Sequence, residues 1–144
     1  MATENNIYEK YSDEELRLML AIGLQDDNEK AASSFMHFVK KVWPGHTTII
    51  FNSNDNVPCH LKAYDSTIAV RVSNHKPIVN LLSLFKNLMV STSANISNLP
   101  TPKKLEDIAK IFPDPDVAFY YFENGESKKP SSIIDLNTMN YIRE

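Results

Sequence analysis

Cysteine and glycine are scarce in this chain of 144 residues. A single cysteine, Cys59, excludes an internal disulfide and a zinc site built from several cysteines. Only three glycines are present, and the sequence contains neither a Walker A loop nor a glycine-rich dinucleotide loop. No apolar run approaches the roughly 18 residues that a membrane-spanning helix needs. The first residues are polar and acidic rather than signal-like, so we expect a cytoplasmic protein with no membrane partner.

Strong charge of either sign is also missing. The formal net charge is -3, which does not favour a protein that binds nucleic acid over its whole surface, although a local basic patch remains allowed. His46, His60 and His75 lack metal-ligand spacing, so no metal site is predicted. Apolar residues make up 42 % of the chain, enough for one core, and we predict a single domain over residues 1–144.

The apolar spacing predicts alternating helices and strands. Ser12 and Glu15 form a capping box that opens a short helix ending at Gly23. Further helices are predicted from about Asp27 to Val42, from Pro77 to Lys86 and from Thr101 to Phe112. Strands are predicted at Thr47–Phe51, Ser66–Val72, Leu88–Val90, Val117–Phe122, Ser132–Leu136 and Met139–Ile142. Two adjacent strand pairs interrupt strict alternation, which favours an α/β (α+β) fold with a mixed twisted sheet and packed helices.

Polar residues that could carry chemistry fall at the ends of these strands. Arg71 follows Ile68-Ala69-Val70, a run that looks buried, and an unpaired buried charge is costly. An ordinary interpretation is a pair with a carboxylate or an arginine that reaches solvent at the strand end. The functional alternative is a clamp for a carboxylate or a phosphate.

The stretch VSTSANIS (residues 90–97) places three consecutive hydroxyl side chains just after a predicted strand. Hydroxyls and backbone N–H groups at such a junction make a suitable anion cradle. The alternative is ordinary turn chemistry, in which the hydroxyls cap local backbone. For Asn95, a bond from the side chain to its own loop is the favoured interpretation. Lys128-Lys129 and Arg143 would by themselves be assigned to a solvated loop and to the tail.

Five segments occur in a fixed order along the chain: WPGHTTIIF, TIAVRVSNH, LMVSTSANISNLPTP, KKPSSIIDL and NYIRE. Together they resemble the YrdC/TsaC family, the threonylcarbamoyl-AMP synthases, whose patterns are WPGPxT, (L/V)AVRxPxH, PLVxTSANxSGxP, xPSTIVD and a late arginine. The match runs from about Val42 to Arg143. The resemblance implies a YrdC-like fold and condensation of L-threonine, bicarbonate and ATP into threonylcarbamoyl-adenylate and pyrophosphate. A tRNA-modifying complex would then transfer the threonylcarbamoyl group to tRNA.

The resemblance also implies roles for individual residues. Arg71, Ser91 and Ser131 would bind threonine, with Arg71 on its carboxylate. Ser93, Thr101 and Arg143 would bind ATP. Catalysis would consist mainly of positioning and charge neutralisation, and magnesium would arrive with ATP, held by phosphates and water.

Two family motifs are missing from this sequence. The family has Pro-Thr-x-Thr-x-Tyr-Gly-Leu and then Lys-x-Arg near its N-terminus, and the chain contains neither. We therefore expect a YrdC-like domain that is truncated at its N-terminus. Smaller departures are His46 in place of proline and Asn98 in place of glycine.

Two functional hypotheses remain open at this point. The first is a threonylcarbamoyl-AMP synthase, in which a separate segment or other cations replace the missing motifs. The candidate cations are Lys40, Lys41, Lys128 and Lys129. The second is a non-catalytic module that retains binding of a nucleotide, of tRNA or of double-stranded RNA.

Overall fold

The computed structural model describes residues 29–55, 57–85, 88–123, 125, 127 and 129–144. The helix predicted after Ser12 lies outside the described residues. The described residues form two compact units. The first comprises residues 29–74 together with 129–144, and the second comprises described residues between 75 and 127.

Helix α1 spans Glu29–Val42 and presents one apolar stripe to the core of the first unit. Met36, Val39 and Trp43 follow one another at helical spacing and are almost fully buried. Lys40 and Lys41 occupy the last turn, where cations interact favourably with the helix dipole. The helix predicted to end at Val42 is thereby confirmed.

A four-stranded mixed sheet completes the first unit. Its strands are β1 (Thr47–Asn52), β2 (Thr67–Val70), β3 (Ser132–Asp135) and β4 (Asn140–Arg143). The spatial order is β2-β1-β3-β4. Strand β1 pairs with β2 antiparallel and with β3 parallel, and β3 pairs with β4 antiparallel. A 3-10 turn, Cys59–Leu61, lies between β1 and β2. The predicted mixed α/β architecture is confirmed.

Strand alternation divides this sheet into two faces. Ile49, Phe51 and Ile134 point to one face and form the core with the apolar stripe of α1. Ile49 is fully buried and is the register partner of Ile134 across the parallel pair. Residues at the alternating positions, such as Thr48 and Ile133, therefore lie on the opposite face, which we call the far face.

A tight turn at Trp43-Pro44-Gly45 joins α1 to β1. The Trp43 indole Nε1 donates to the Thr47 carbonyl at 2.6 Å, and the Gly45 amide donates to the Val72 carbonyl at 2.8 Å. A Cβ at Gly45 would lie 2.6 Å from the Val42 carbonyl oxygen. Only glycine fits here, because the atom in the way is backbone and cannot rotate aside.

The second unit contains two short helices, α2 (Lys76–Phe85) and α3 (Leu105–Ile111), and neither has a buried residue. Helix α2 begins at Lys76, one residue before the predicted start at Pro77, which lies in the first turn. Helix α3 begins at Leu105 with Lys104 as its N-cap, so the predicted start at Thr101-Pro102 was wrong.

Two predicted strands, Leu88–Val90 and Val117–Phe122, were also wrong. Neither segment pairs with a strand in the described part of the chain. Their side chains are largely exposed, for example Leu88 at 82 % and Tyr121 at 70 %. Residues with high β-propensity form a strand only when a neighbouring strand hydrogen-bonds to their backbone. In the described part of the chain, no strand pairs with these two segments.

We expect Gly45→Ala to destabilise the first unit by about 1–3 kcal/mol, because the new methyl group collides with backbone. Urea unfolding followed by the fluorescence of Trp43, the single tryptophan, measures this. Gly125→Ala is the matched control, since a Cβ there would meet the His75 ring at an ordinary 3.5 Å. Equal unfolding midpoints for the two variants would contradict the account of the turn.

A carboxylate at the start of β2 makes stability depend on pH. Asp65 Oδ1 accepts hydrogen bonds from Thr67 Oγ1 at 2.7 Å and from the Thr67 amide at 3.1 Å. These bonds favour the charged form and lower the pKa of Asp65 below its ordinary 3.8. The stabilisation is therefore present above that ordinary pKa and is lost as pH falls through the lower pKa of the folded state.

We expect Asp65→Asn to lower the unfolding midpoint at pH 7 and to differ less from the unmodified chain near pH 3. Thermal unfolding at both pH values checks this. Asp55→Asn, which removes an exposed carboxylate in the preceding loop, controls for the loss of negative charge. A difference between Asp65→Asn and the unmodified chain that is the same at both pH values would show that these bonds do not stabilise the charged form.

Candidate functional site

Ser131 is the centre of a hydrogen-bonded cluster on the far face. Its Oγ lies 3.0 Å from Thr48 Oγ1 and accepts a bond from Arg143 Nη2 at 3.2 Å. Arg143 Nε also donates to the Ser131 carbonyl at 2.8 Å. Ser131 and Arg143, both predicted site residues, are thus brought together.

Strand pairing explains why these residues meet. Ser131 directly precedes β3, which runs parallel to β1, so it lies beside the start of β1, where Thr48 stands. Arg143 is the register partner of Ile133 across the β3–β4 pair and shares the far face with it. Arg143 is therefore held in the sheet by strand pairing and is not part of a loose tail.

A short hairpin turn places β4 at this register. Asp135 accepts bonds from the Asn137 amide at 2.9 Å and from Thr138 Oγ1 at 3.1 Å. Met139 adopts a positive φ of 58°, which turns the chain back. Both carboxylate oxygens of Asp135 accept hydrogen bonds within the turn, so this acidic side chain stabilises the hairpin.

Arg71 lies at the same end of the sheet. It follows β2 directly, and continuing the β1–β2 register by one residue sets it opposite Thr48. Arg71 is exposed, as is Ala69, so the expectation that it ends a buried run was wrong. The reason is that the far face of β2 is not covered by the core. Within the described residues its guanidinium has no hydrogen-bond or ion-pair partner, which leaves it available to an anion.

The far face offers two guanidinium groups and two hydroxyls at one end of the sheet. Arginine donates through a planar fork that matches carboxylate and phosphate oxygens. Within the described ranges, no cluster of three or more His, Cys, Asp or Glu side chains could hold a metal ion. This donor set fits an anion and does not fit a divalent cation.

The remaining predicted site residues, Ser91, Ser93 and Thr101, lie in the second unit. All three are exposed, and none makes a hydrogen bond to another residue within the described ranges. Capping of local backbone by these hydroxyls is therefore not observed there. Their placement neither confirms nor contradicts the binding roles, which stay predictions.

Asn95 shapes the loop that bears these hydroxyls. Its Nδ2 donates to the Leu99 carbonyl at 2.7 Å and to the Ile96 carbonyl at 2.9 Å. The Leu99 amide closes a turn on the Ile96 carbonyl at 2.9 Å. The predicted bond from Asn95 to its own loop is confirmed. Asn98 has a φ of 67°, a left-handed conformation that asparagine and glycine tolerate best.

Sequence reasoning missed Thr48, which was assigned only to a buried strand. A signal for it was present, because Thr48 stands where the family pattern WPGPxT ends in threonine. Of the candidate substitute cations, Lys128 lies outside the described residues. Lys40 and Lys129 already interact with other residues, and Lys41 is exposed at the end of α1.

Comparison with known proteins decides the family. A model of the Sua5/YciO/YrdC family, described as telomere recombination, matches residues 14–144. The chain belongs to this family.

In the part of the protein that the structure describes, no helix is both long and apolar enough to cross a bilayer.

Curated relatives in this family are longer than the matched region. A threonylcarbamoyl-AMP synthase of Buchnera aphidicola from Schizaphis graminum is 41 % identical over 101 residues, which is 70 % of this chain and 53 % of the relative. One of Buchnera aphidicola from Acyrthosiphon pisum is 35 % identical over 116 residues, or 81 % and 63 % of the two chains. The chain thus spans somewhat more than half the length of these relatives.

Two solved structures of Sua5 from P. abyssi resemble the fold. The complex with L-threonine has a TM-score of 0.56 and 27 % identity, covering 73 % of this chain and 31 % of that one. A double variant has a TM-score of 0.57 and 24 % identity, covering 85 % and 42 %, and that likeness concerns the fold alone.

We expect Asn98→Val to loosen the turn of the hydroxyl-bearing loop, because a β-branched residue is strained at a left-handed φ by about 1–3 kcal/mol. Hydrogen exchange of the Leu99 amide, which closes this turn, measures the effect and should be at least about 5-fold faster. Ser97→Ala is the control, since Ser97 has no positive φ. Unchanged exchange of Leu99 in Asn98→Val would refute the account of this turn.

Proposed function

We propose that this chain supplies the substrate-binding sheet of a threonylcarbamoyl-AMP synthase. Such an enzyme joins L-threonine, bicarbonate and ATP into threonylcarbamoyl-adenylate and pyrophosphate, which a tRNA-modifying complex then uses. The relatives named above support the reaction, and a Sua5 structure with L-threonine supports that substrate. The observation that carries the proposal is the far-face cluster of Thr48, Ser131 and Arg143, with Arg71 opposite Thr48.

The arrangement suggests a division of labour between the two arginines. Arg71 has no partner among the described residues, so its fork is available to the threonine carboxylate as a bidentate donor. Ser131 lies on the sheet between Arg71 and Arg143, and it contacts the substrate L-threonine. Arg143, held on Ser131, faces the nucleotide.

The chemistry requires two bonds to form. The threonine amine first forms a C–N bond with the carbon of bicarbonate, and water leaves, giving a carbamate. A carbamate oxygen then bonds to the α-phosphorus of ATP, and pyrophosphate leaves. All reacting partners carry negative charge, so holding them together beside fixed cations removes much of the barrier.

Magnesium is the usual companion of ATP in such reactions. The hydroxyl and guanidinium groups of the far face do not fit a divalent cation, so these groups would hold the substrates and not the metal. When magnesium is present, it screens the charge of the triphosphate.

A second candidate function is binding without turnover. The chain covers only 53 % and 63 % of the two Buchnera relatives, and it contains no Lys-x-Arg motif to hold the phosphates. Each missing charge-assisted contact to a triphosphate is worth roughly 1.5–3 kcal/mol. A chain with these losses would bind threonine or a nucleotide and release no pyrophosphate.

We expect pyrophosphate release that depends on L-threonine when the purified chain receives ATP, bicarbonate and magnesium. Arg71→Ala should raise the KM for threonine by about 10-fold or more, the cost of one charge-assisted bond. Lys110→Ala, a surface cation paired with Asp107, is the control and should leave KM unchanged.

Calorimetric titration with L-threonine separates the two candidates. Threonine binding that is lost in Arg71→Ala, without pyrophosphate release, would favour the non-catalytic module. A folded chain that neither binds threonine nor releases pyrophosphate would overturn the proposed function.

A further inference from the structure

We propose that Thr48 is a positioning residue that sets the direction of the Ser131 hydroxyl, so that Ser131 donates its proton to an anionic group of the substrate. The inference rests on the proposed function, in which Ser131 contacts threonine. It adds a residue and a physical role that this function does not require. The relevant geometry is the 3.0 Å contact between Thr48 Oγ1 and Ser131 Oγ.

The Ser131 hydroxyl has one proton and two acceptor sites. Arg143 can only donate, so its Nη2 contact at 3.2 Å uses one of the acceptor sites. The remaining acceptor site and the single proton are left for Thr48 and for a ligand.

Two arrangements of the hydroxyl pair are therefore allowed. If Ser131 donates to Thr48, Ser131 offers a lone pair to the ligand, which repels an anion. If Thr48 donates to Ser131, both acceptor sites are filled and the Ser131 proton turns to the ligand. An anion selects the second arrangement, and Ser131 loses no hydrogen bond when it changes direction, because Thr48 can act as donor or acceptor.

Thr48 is well placed to hold this geometry. It lies within β1, a strand paired on both sides, and it is half-buried. Its hydroxyl lies 3.0 Å from Ser131 Oγ, within hydrogen-bond distance. A second hydroxyl pair, Thr47 Oγ1 and Ser132 Oγ at 3.1 Å, lies next to the first. Thr47 and Ser132 alternate with Thr48 and Ser131 along the strands, so they face the core side of the sheet. Only the far-face pair has an arginine on its serine.

The test compares Thr48→Val, Thr48→Ser and Thr47→Val in the full chain. Valine keeps the shape and removes the hydroxyl, whereas serine keeps the hydroxyl. We expect Thr48→Val to weaken L-threonine binding about 10-fold, and the other two variants to stay within about 2-fold, because one hydrogen bond is at stake. Circular dichroism confirms that each variant folds. L-threonine affinity of Thr48→Val equal to that of the unmodified chain, or no rescue by serine, would overturn the inference.

A double variant checks that Thr48 acts through Ser131. In a Ser131→Ala background, Thr48→Val should cause no further loss of affinity, because there is no hydroxyl left to direct. A further 10-fold loss in that background would mean that Thr48 supports the strand and does not orient Ser131.

A second measurement needs no ligand. Solvent exchange of the Arg143 Nη–H protons, followed by NMR, should be faster in Thr48→Val than in the unmodified chain and unchanged in Thr47→Val, because Nη2 donates to the Ser131 Oγ that Thr48 orients. If the unmodified chain binds no L-threonine, the proposed function fails, and this exchange rate alone decides the role of Thr48. Equal exchange in Thr48→Val and the unmodified chain would then overturn the inference.

Discussion

The parallel pairing of β1 with β3 is the constraint on which the first unit depends. It joins stretches separated by 83 residues, as the contact between Thr48 and Ser131 shows. The same pairing places Ile49 beside Ile134 in the core. The other edge of β3 pairs with β4, the strand that carries Arg143. Core and candidate site are consequently two faces of one sheet, and a change in its register would disturb both.

This sheet also explains how a small core can support a polar site. The helix α1 and the Trp43-Pro44-Gly45 turn cover one face, and β1 continues directly from that turn. One end of the other face carries hydroxyls and arginines, which are stable there because they are accessible to solvent or pair with one another. An anion that binds there would exchange its own hydration shell for these fixed donors.

Local signals in the sequence were sufficient for some elements and not for others. Apolar residues at helical spacing, Phe38, Val39 and Val42 among them, predict α1, and the β-branched run at Thr47 predicts β1, because the residues of each pattern are those that the element buries or half-buries. Leu88–Val90 has an equally apolar pattern and forms no strand, since strand formation depends on a partner that the local sequence does not name. The exposure of Arg71, the role of Thr48 and the place of Arg143 likewise follow from long-range pairing. For Thr48 and Arg143, the ordered family motifs indicate the position, whereas the chemistry of the two residues alone does not.

The proposed function places the amino-acid substrate on the far face of the sheet. Backbone amide NMR shifts on titration with L-threonine test this placement. We predict shifts concentrated at residues 48, 71, 131 and 143 that saturate together, with little change along α1. Shifts concentrated on α1, or no saturable shifts from a folded chain, would contradict it.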